Sequence, residues 1–263
     1  MKRPLPSFKT PPVNEVVIGV VYDRIVDFKL VHYGLFGQRV YKDFPIYEHA
    51  VPLGIEDLSS LDPTTGLPIP RLWLINSEDD GLIQLQADRF YYNWRSRPKR
   101  DTYPRFDAVF ETFFHNWGQF TTFLHESGLP EANVVRCELT YVNRIPKEQG
   151  WDSMADLPRF FVDVPWSKRS NGGFLPTPAA LSWNASFALP ESSGVLNVKC
   201  QPALVPPDKT PVIILELAAT GLGKDSSLDQ IKNWFHDAHE WIVEGFADLT
   251  TPDAQSRVWN RYE

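Results

Sequence analysis

Hydrophobic and polar residues alternate with two different periods along this chain, and the points where the period changes mark out its elements. Residues 14–22 are a β-branched apolar run that predicts a strand. From 28 to 41 apolar residues recur at Phe28, Val31, Leu35 and Phe36, which is helical spacing, and Phe44-Pro45 closes that segment. Residues 53–70 read as loop, with turn signals at Asp62-Pro63 and Gly66-Leu67-Pro68. A strand at 71–76 and a hairpin turn at Glu78-Asp79-Asp80-Gly81 follow. The period then becomes two: Ile83 and Leu85 oppose Gln84 and Gln86, and Phe90, Tyr92 and Trp94 oppose Arg89, Tyr91, Asn93 and Arg95. A long helix starts near Pro104, with Phe106, Val109, Phe110, Phe113, Phe114, Trp117 and Phe120 as its stripe and Gly128 at its end.

The second half runs through a similar plan. It predicts a strand at 134–145, a short Pro-interrupted helix at 151–161, a Ser/Gly/Pro loop at 168–178 and strands at 181–188, 194–201 and 212–219. Asp225 or Ser226 caps a last helix whose stripe is Leu228, Ile231, Trp234, Phe235, Ala238, Trp241 and Ile242. Short matches recur about 120 residues apart: Asp23-Arg24-Ile25 with Asn143-Arg144-Ile145, and Phe113-Phe114-His115-Asn116 with Trp234-Phe235-His236-Asp237. The expected fold is therefore α+β, an internal duplication of β-α-β-β-β-α units at 13–130 and 131–263, after an extended Pro-rich arm at 1–12 with little structure of its own. Two such units predict a curved antiparallel sheet with its helices on one face, a pseudo-twofold topology that resembles TATA-binding-protein-like and other helix-grip folds.

If helices cover one face, alternation assigns the residues of the other. Those are Gln84, Gln86, Arg89, Tyr91, Asn93 and Arg95 from the first half. From the second come Arg136, Glu138, Thr140, Ser182, Asn184, Ser186, Asn197, Lys199 and Glu216. Rigid strands with convergent hydrogen-bonding groups make this open face the candidate binding surface. Its named residues are Gln84, Gln86, Arg89, Tyr91, Asn93, Arg95, Arg136, Glu138, Lys199 and Glu216.

Composition narrows the classes. With 263 residues, 43% hydrophobic and 13% aromatic, the chain can bury a large core without a disulfide or metal staple. A net charge of −7 opposes sequence-blind binding to nucleic acid or anionic membrane. Cys137 and Cys200 fall at apolar-alternating strand positions and read as small core residues. The N-terminus lacks the apolar stretch of a signal peptide, and no run approaches 18 apolar residues, so a cytoplasmic location is expected.

Four local patterns invite chemistry. Glu138 and Glu216 share the open face, but a catalytic carboxylate pair needs apposition and opposed environments, and Arg136 and Lys199 account for both as ion-pair partners. The segment 89–105 interleaves Arg89, Arg95, Arg97, Lys99, Arg100 and Arg105 with Tyr91, Trp94 and Tyr103, a composition that can bind phosphate and stack bases or simply be a solvated rim. His236 and His239 lie three apart on a helix, which is not the zinc-protease spacing, and no metal is expected there. Residues 221–226 fail the phosphate-loop test, because Ala218 stands at the first Gly position and Asp225 follows Lys224.

Pro11-Pro12-Val13-Asn14-Glu15-Val16-Val17, Asp80-Gly81-Leu82-Ile83-Gln84-Leu85-Gln86 with Asp88-Arg89-Phe90 and Asn93-Trp94-Arg95, Tyr103-Pro104-Arg105-Phe106, and Cys137-Glu138-Leu139-Thr140-Tyr141 carry a resemblance. The chain resembles a sporadically distributed bacterial family of similar length that has no assigned function and no catalytic residues to transfer. The resemblance implies a component of a defence or toxin–antitoxin module. Together these readings predict a non-enzymatic binding protein without cofactor. Its expected partner is another protein, whether a second copy or an operon neighbour, and not a membrane; nucleic acid is not favoured. The alternatives are a small-molecule or nucleotide-binding enzyme with a helix-grip cavity, and nucleic-acid binding through the 89–105 rim.

Overall fold

A computed structural model describes residues 4–53, 61, 66, 69, 71–98, 102–164 and 174–263. Most of the expected loop at 53–70, part of that at 168–178, and Lys99 and Arg100 of the basic segment lie outside the described residues. The elements are β1 (Val13–Tyr22), α1 (Leu30–Val40), β2 (Ile46–Ala50), β3 (Arg71–Ile75), β4 (Gly81–Gln86), β5 (Arg89–Arg95), α2 (Phe106–Glu126), β6 (Val134–Pro146), β7 (Trp183–Ala188), β8 (Gly194–Val205), β9 (Thr210–Gly221) and α3 (Leu228–Leu249). The chain is α+β, and its strand pairs β1–β5, β2–β3, β3–β4, β4–β5 and β7–β8 are antiparallel. The first half has one strand more than expected, β2, and the short helix expected at 151–161 is a six-residue 3-10 turn, Met154–Arg159, with Pro158 inside. A proline at that place removes a backbone donor and stops an α-helix from propagating.

The chain divides into two compact units: Glu15–Leu139 with Gly221–Trp234, here the first unit, and Met1–Asn14, Thr140–Thr220 and Phe235–Glu263, the second. Strand β6 contributes residues to both. In the first unit the strand order is β2-β3-β4-β5-β1-β6, and in the second it is β6-β9-β8-β7.

The first unit owes its core to the aromatic stripe of α2. Phe106, Val109, Phe113, Trp117, Phe120, Phe123 and Leu124 recur at three- and four-residue spacing and all are buried. Phe120 is the hub: its ring stacks on Phe90 of β5 at 5.2 Å and meets Phe36 of α1 edge-on at 5.3 Å. Offset and edge-on ring contacts of this kind add about 0.5–1.5 kcal/mol each beyond the area buried.

In the second unit Leu196, Val198, Cys200, Leu215, Leu217 and Ala219 of the strands and Phe235, Ala238, Ile242 and Phe246 of α3 are buried. The N-terminal arm belongs to this core and is held by the C-terminal segment, so it is extended but not without structure. The Tyr262 N–H donates to the Ser7 carbonyl (3.0 Å), and the Lys9 and Thr10 N–H groups donate to Asn260 and Trp259 (3.2 Å each). Phe8 is buried and meets Phe246 edge-on at 5.5 Å. Trp259, fully buried, donates its indole N–H to Gln149 (3.1 Å).

Candidate functional site

Strand register places one polar row across the first unit. Trp73 lies opposite Gln84, Gln84 opposite Tyr91, and Tyr91 opposite Gly19, while Asn93 lies opposite Val17 and Arg95 opposite Glu15. All of these share a face, the face that the alternation of β4 and β5 marks as polar. That face is not open here: Gln84, Gln86, Tyr91 and Asn93 are all buried, and β4 is buried at every position. The expectation of an uncovered surface is therefore corrected for these four residues. One source of cover is the backbone of Leu53, whose N–H donates to the Gln86 side chain (2.9 Å) and whose carbonyl accepts from it (3.0 Å).

Burying amides is unfavourable unless each finds a partner, and a diagonal chain of hydrogen bonds supplies them. An Arg71 Nη1–H donates to Gln84 Oε1 (2.7 Å), Gln84 Nε2 donates to Asn93 Oδ1 (2.6 Å), and Asn93 Nδ2 donates to Glu15 Oε1 (2.6 Å). Every link joins neighbouring strands at diagonal positions, within reach because each pairs Asn93 or Gln84 with a longer side chain. The cation at one end and the carboxylate at the other are thus joined through two oriented amides and do not form an ion pair.

Two further clusters flank this chain. Arg89 pairs with Asp88 through Nη2 and Oδ2 (2.8 Å), and Asp88 also accepts from Gln86 (3.4 Å). Tyr91 donates its hydroxyl to Glu138 (2.9 Å), whose other oxygen accepts from Arg136 (2.7 Å). Burial, followed by the Glu138 charge, raises the Tyr91 phenol well above its ordinary pKa, so it stays a donor. The Tyr91 ring lies flat over Gly19, where a Cβ would stand 2.0 Å from Tyr91 Cδ1 and 2.7 Å from the Phe90 carbonyl oxygen. Gly19 is what lets the ring lie down.

Arg71 is the unbalanced member. Its guanidinium has no carboxylate partner among the described residues, its Nε is buried without a hydrogen-bond partner, and it sits over the Trp73 ring at 5.5 Å. The Trp73 indole N–H, on the same face two residues along, is also buried and without a hydrogen-bond partner among the described residues. Burial lowers the Arg71 pKa from its ordinary value, and the like charge of Arg89 lowers it further against the opposing effect of Tyr91.

The structure gathers Gln84, Gln86, Arg89, Tyr91, Asn93, Arg95, Arg136 and Glu138 in the first unit, and places Lys199 and Glu216 in the second. Arg95 is set apart from Arg71 along β5 and pairs with Asp79, as does Arg97 (2.6 Å). Arg89, Arg95 and Arg97 of the basic segment are thus each matched by a carboxylate. Glu138 is engaged by Tyr91 and Arg136. In the second unit Asn184, Ser186, Asn197 and Lys199 are exposed, as alternation predicts, and Ser186 donates to Asn197 (2.7 Å). His236 is exposed, and His239 packs against the Tyr141 ring at 6.0 Å. Arg71, Trp73, Glu15 and Asp88 are the members that sequence reasoning did not select. Assigning a face to Arg71-Leu72-Trp73-Leu74-Ile75 from its alternation would have found the first two.

No protein-family model matches the chain, and no curated protein matches it. A solved structure, Methanococcus jannaschii TBP, is similar at 12% identity over 90% of this chain and 98% of that one, with a TM-score of 0.26. A likeness that distant carries no inference about what this chain does.

Proposed function

We propose that this chain is a binding protein whose first unit takes an anionic small molecule, a carboxylate or phosphate compound, on the polar face around Arg71. The observation that carries the reading is a half-buried guanidinium with no carboxylate partner among the described residues and with its Nε–H, like the neighbouring Trp73 indole N–H, unpartnered among them. A buried donor left unpaired is unfavourable by about 1–3 kcal/mol, and two of them beside a guanidinium suit an acceptor-rich anion. The amide chain through Gln84 and Asn93 holds Arg71 in place, and Trp73 offers it a ring to lie on. The buried face favours this small-ligand reading over the broad open surface expected from alternation. The short matches between α2 and α3 support a second element of the proposal, that the chain arose by duplication and kept this site in one copy.

The test is thermal melting against a panel of inorganic phosphate, nucleotides and di- and tricarboxylates. A true ligand at a hundred times its Kd stabilises the fold by about 2.7 kcal/mol. That gain is expected to vanish in Arg71→Gln and to fall several-fold in Trp73→Phe, which keeps an aromatic face, though a smaller one, and removes the N–H. A melting point unmoved by every member of the panel, or moved equally in Arg71→Gln, overturns the reading.

A further inference from the structure

In the second unit a groove of about 490 Å³ runs beside the C-terminal half of α3. Its apolar lining is Phe187 of β7, Leu196 of β8, and Trp241 and Leu249 of α3. Its charged lining is of one sign: Glu240, Glu244 and Asp248 from α3, with Asp163.

That rim is unfavourable for the chain on its own. Glu240, Glu244 and Asp248 recur every four residues and form one stripe, and like charges at that spacing each destabilise a helix. Asp248 stands in the last turn of α3, where the exposed carbonyls disfavour an anion, and that turn holds no basic residue. Asp163, Glu244 and Asp248 have no cationic partner among the described residues. Nor, among the described residues, is any group of three or more His, Cys, Asp or Glu side chains arranged to hold a metal ion. The missing positive charge therefore fits side chains that come with an apolar surface.

The first unit supplies a precedent for what seats beside a long helix. There α1 buries Tyr33, Phe36 and Val40, and Phe36 meets Phe120 and Phe123 of α2 at 5.3 and 5.7 Å. Among the described residues the second unit has no further α-helix to lie beside α3, its other helical pieces being 3-10 turns and a π turn at Ala254–Val258. We propose that the groove docks a basic amphipathic helical segment of a partner protein. Its apolar side chains would lie on Phe187 and Trp241, over the buried Leu196, and its Lys and Arg side chains against Asp163, Glu244 and Asp248. This proposal does not rest on the Arg71 site.

The probe is a fluorescein-labelled Leu/Lys helical peptide of about 14 residues, roughly three to four turns, titrated by anisotropy against the full chain at low salt. A peptide of the same composition in scrambled order controls for bulk attraction to an acidic protein. The patterned peptide is expected to bind at least tenfold more tightly than the scrambled one, and to weaken at least tenfold on the Glu244→Lys/Asp248→Lys variant. Trp241→Ala is expected to weaken it independently of salt, and the lysine variant, which relieves like-charge contacts, to melt no lower than the parent. Equal affinity for both peptides, equal affinity of parent and variant, or no binding at low salt overturns the proposal. So does a parent chain that sediments as a dimer while the lysine variant is monomeric, since the occupant would then be a second copy.

Discussion

Gly19 and Tyr91 show how far one missing side chain can shape a surface. With a Cβ at position 19 set 2.0 Å from the ring and 2.7 Å from a carbonyl oxygen, Tyr91 would have to lift and β1 would have to part from β5. Gly19→Ala is expected to lower stability by about 1–3 kcal/mol in urea titration, as overpacked sites do. An unchanged midpoint would mean that the ring is free to swing away. Residues of this kind were partly legible in the sequence. Alternation put Gln84, Gln86, Tyr91 and Asn93 on one face, and that grouping holds. It could not announce their burial, because the cover includes Leu53, whose place depends on tertiary contact and not on local period. Cys137 and Cys200 were readable as core residues: both are buried, and burial pushes each thiol up to about 12, so neither is poised as a nucleophile.

Among elements, the β3–β4 hairpin combines a demanding turn with a charged latch. Asp79 has φ +59°, a left-handed conformation that Asn also adopts without great strain, and its carboxylate receives Arg95 and Arg97. The hydrogen bond from Arg97, reinforced by the charge of Arg95, holds the Asp79 carboxyl below its usual pKa. A depressed folded value means stability that is present above the unfolded value of about 3.9 and lost as pH falls through the lowered one. Asp79→Asn should therefore show a shallower loss of stability between about pH 5 and pH 3 than the parent, read as urea midpoints across that range. Parallel curves would remove Asp79 from the acid response. The same hairpin was readable from Glu78-Asp79-Asp80-Gly81, and α2 and α3 from their stripes. Helix α1 was found from a stripe that is mostly wrong within the helix, since Val31 and Leu35 are exposed and Tyr33, Phe36 and Val40 are the buried side chains. Strand β2 was not: its five residues are nearly all exposed and follow Phe44-Pro45, so no burial period marks them.

For the whole molecule, the decisive arrangement is the pairing of the first described residues with the last. Phe8 is buried, rings with Phe246, and bridges to Arg261. Phe8→Ala is expected to reduce stability by about 3–5 kcal/mol, the usual range for a fully packed Phe, as measured by chemical denaturation. A loss below about 1 kcal/mol would show that the arm adds little to the second unit. The Pro-rich composition made the extended shape of this arm legible, but not its anchorage, since its partners lie some 250 residues away. That distance also orders events during synthesis. Residues 15–139 leave the ribosome as one stretch that holds most of the first unit, whereas Ser7, Lys9 and Thr10 must wait for Trp259, Asn260 and Tyr262 to be made. The second unit is thus closed by residues made long after the ones they hold, and Phe8 is synthesised well before Phe246, the ring it finally packs against.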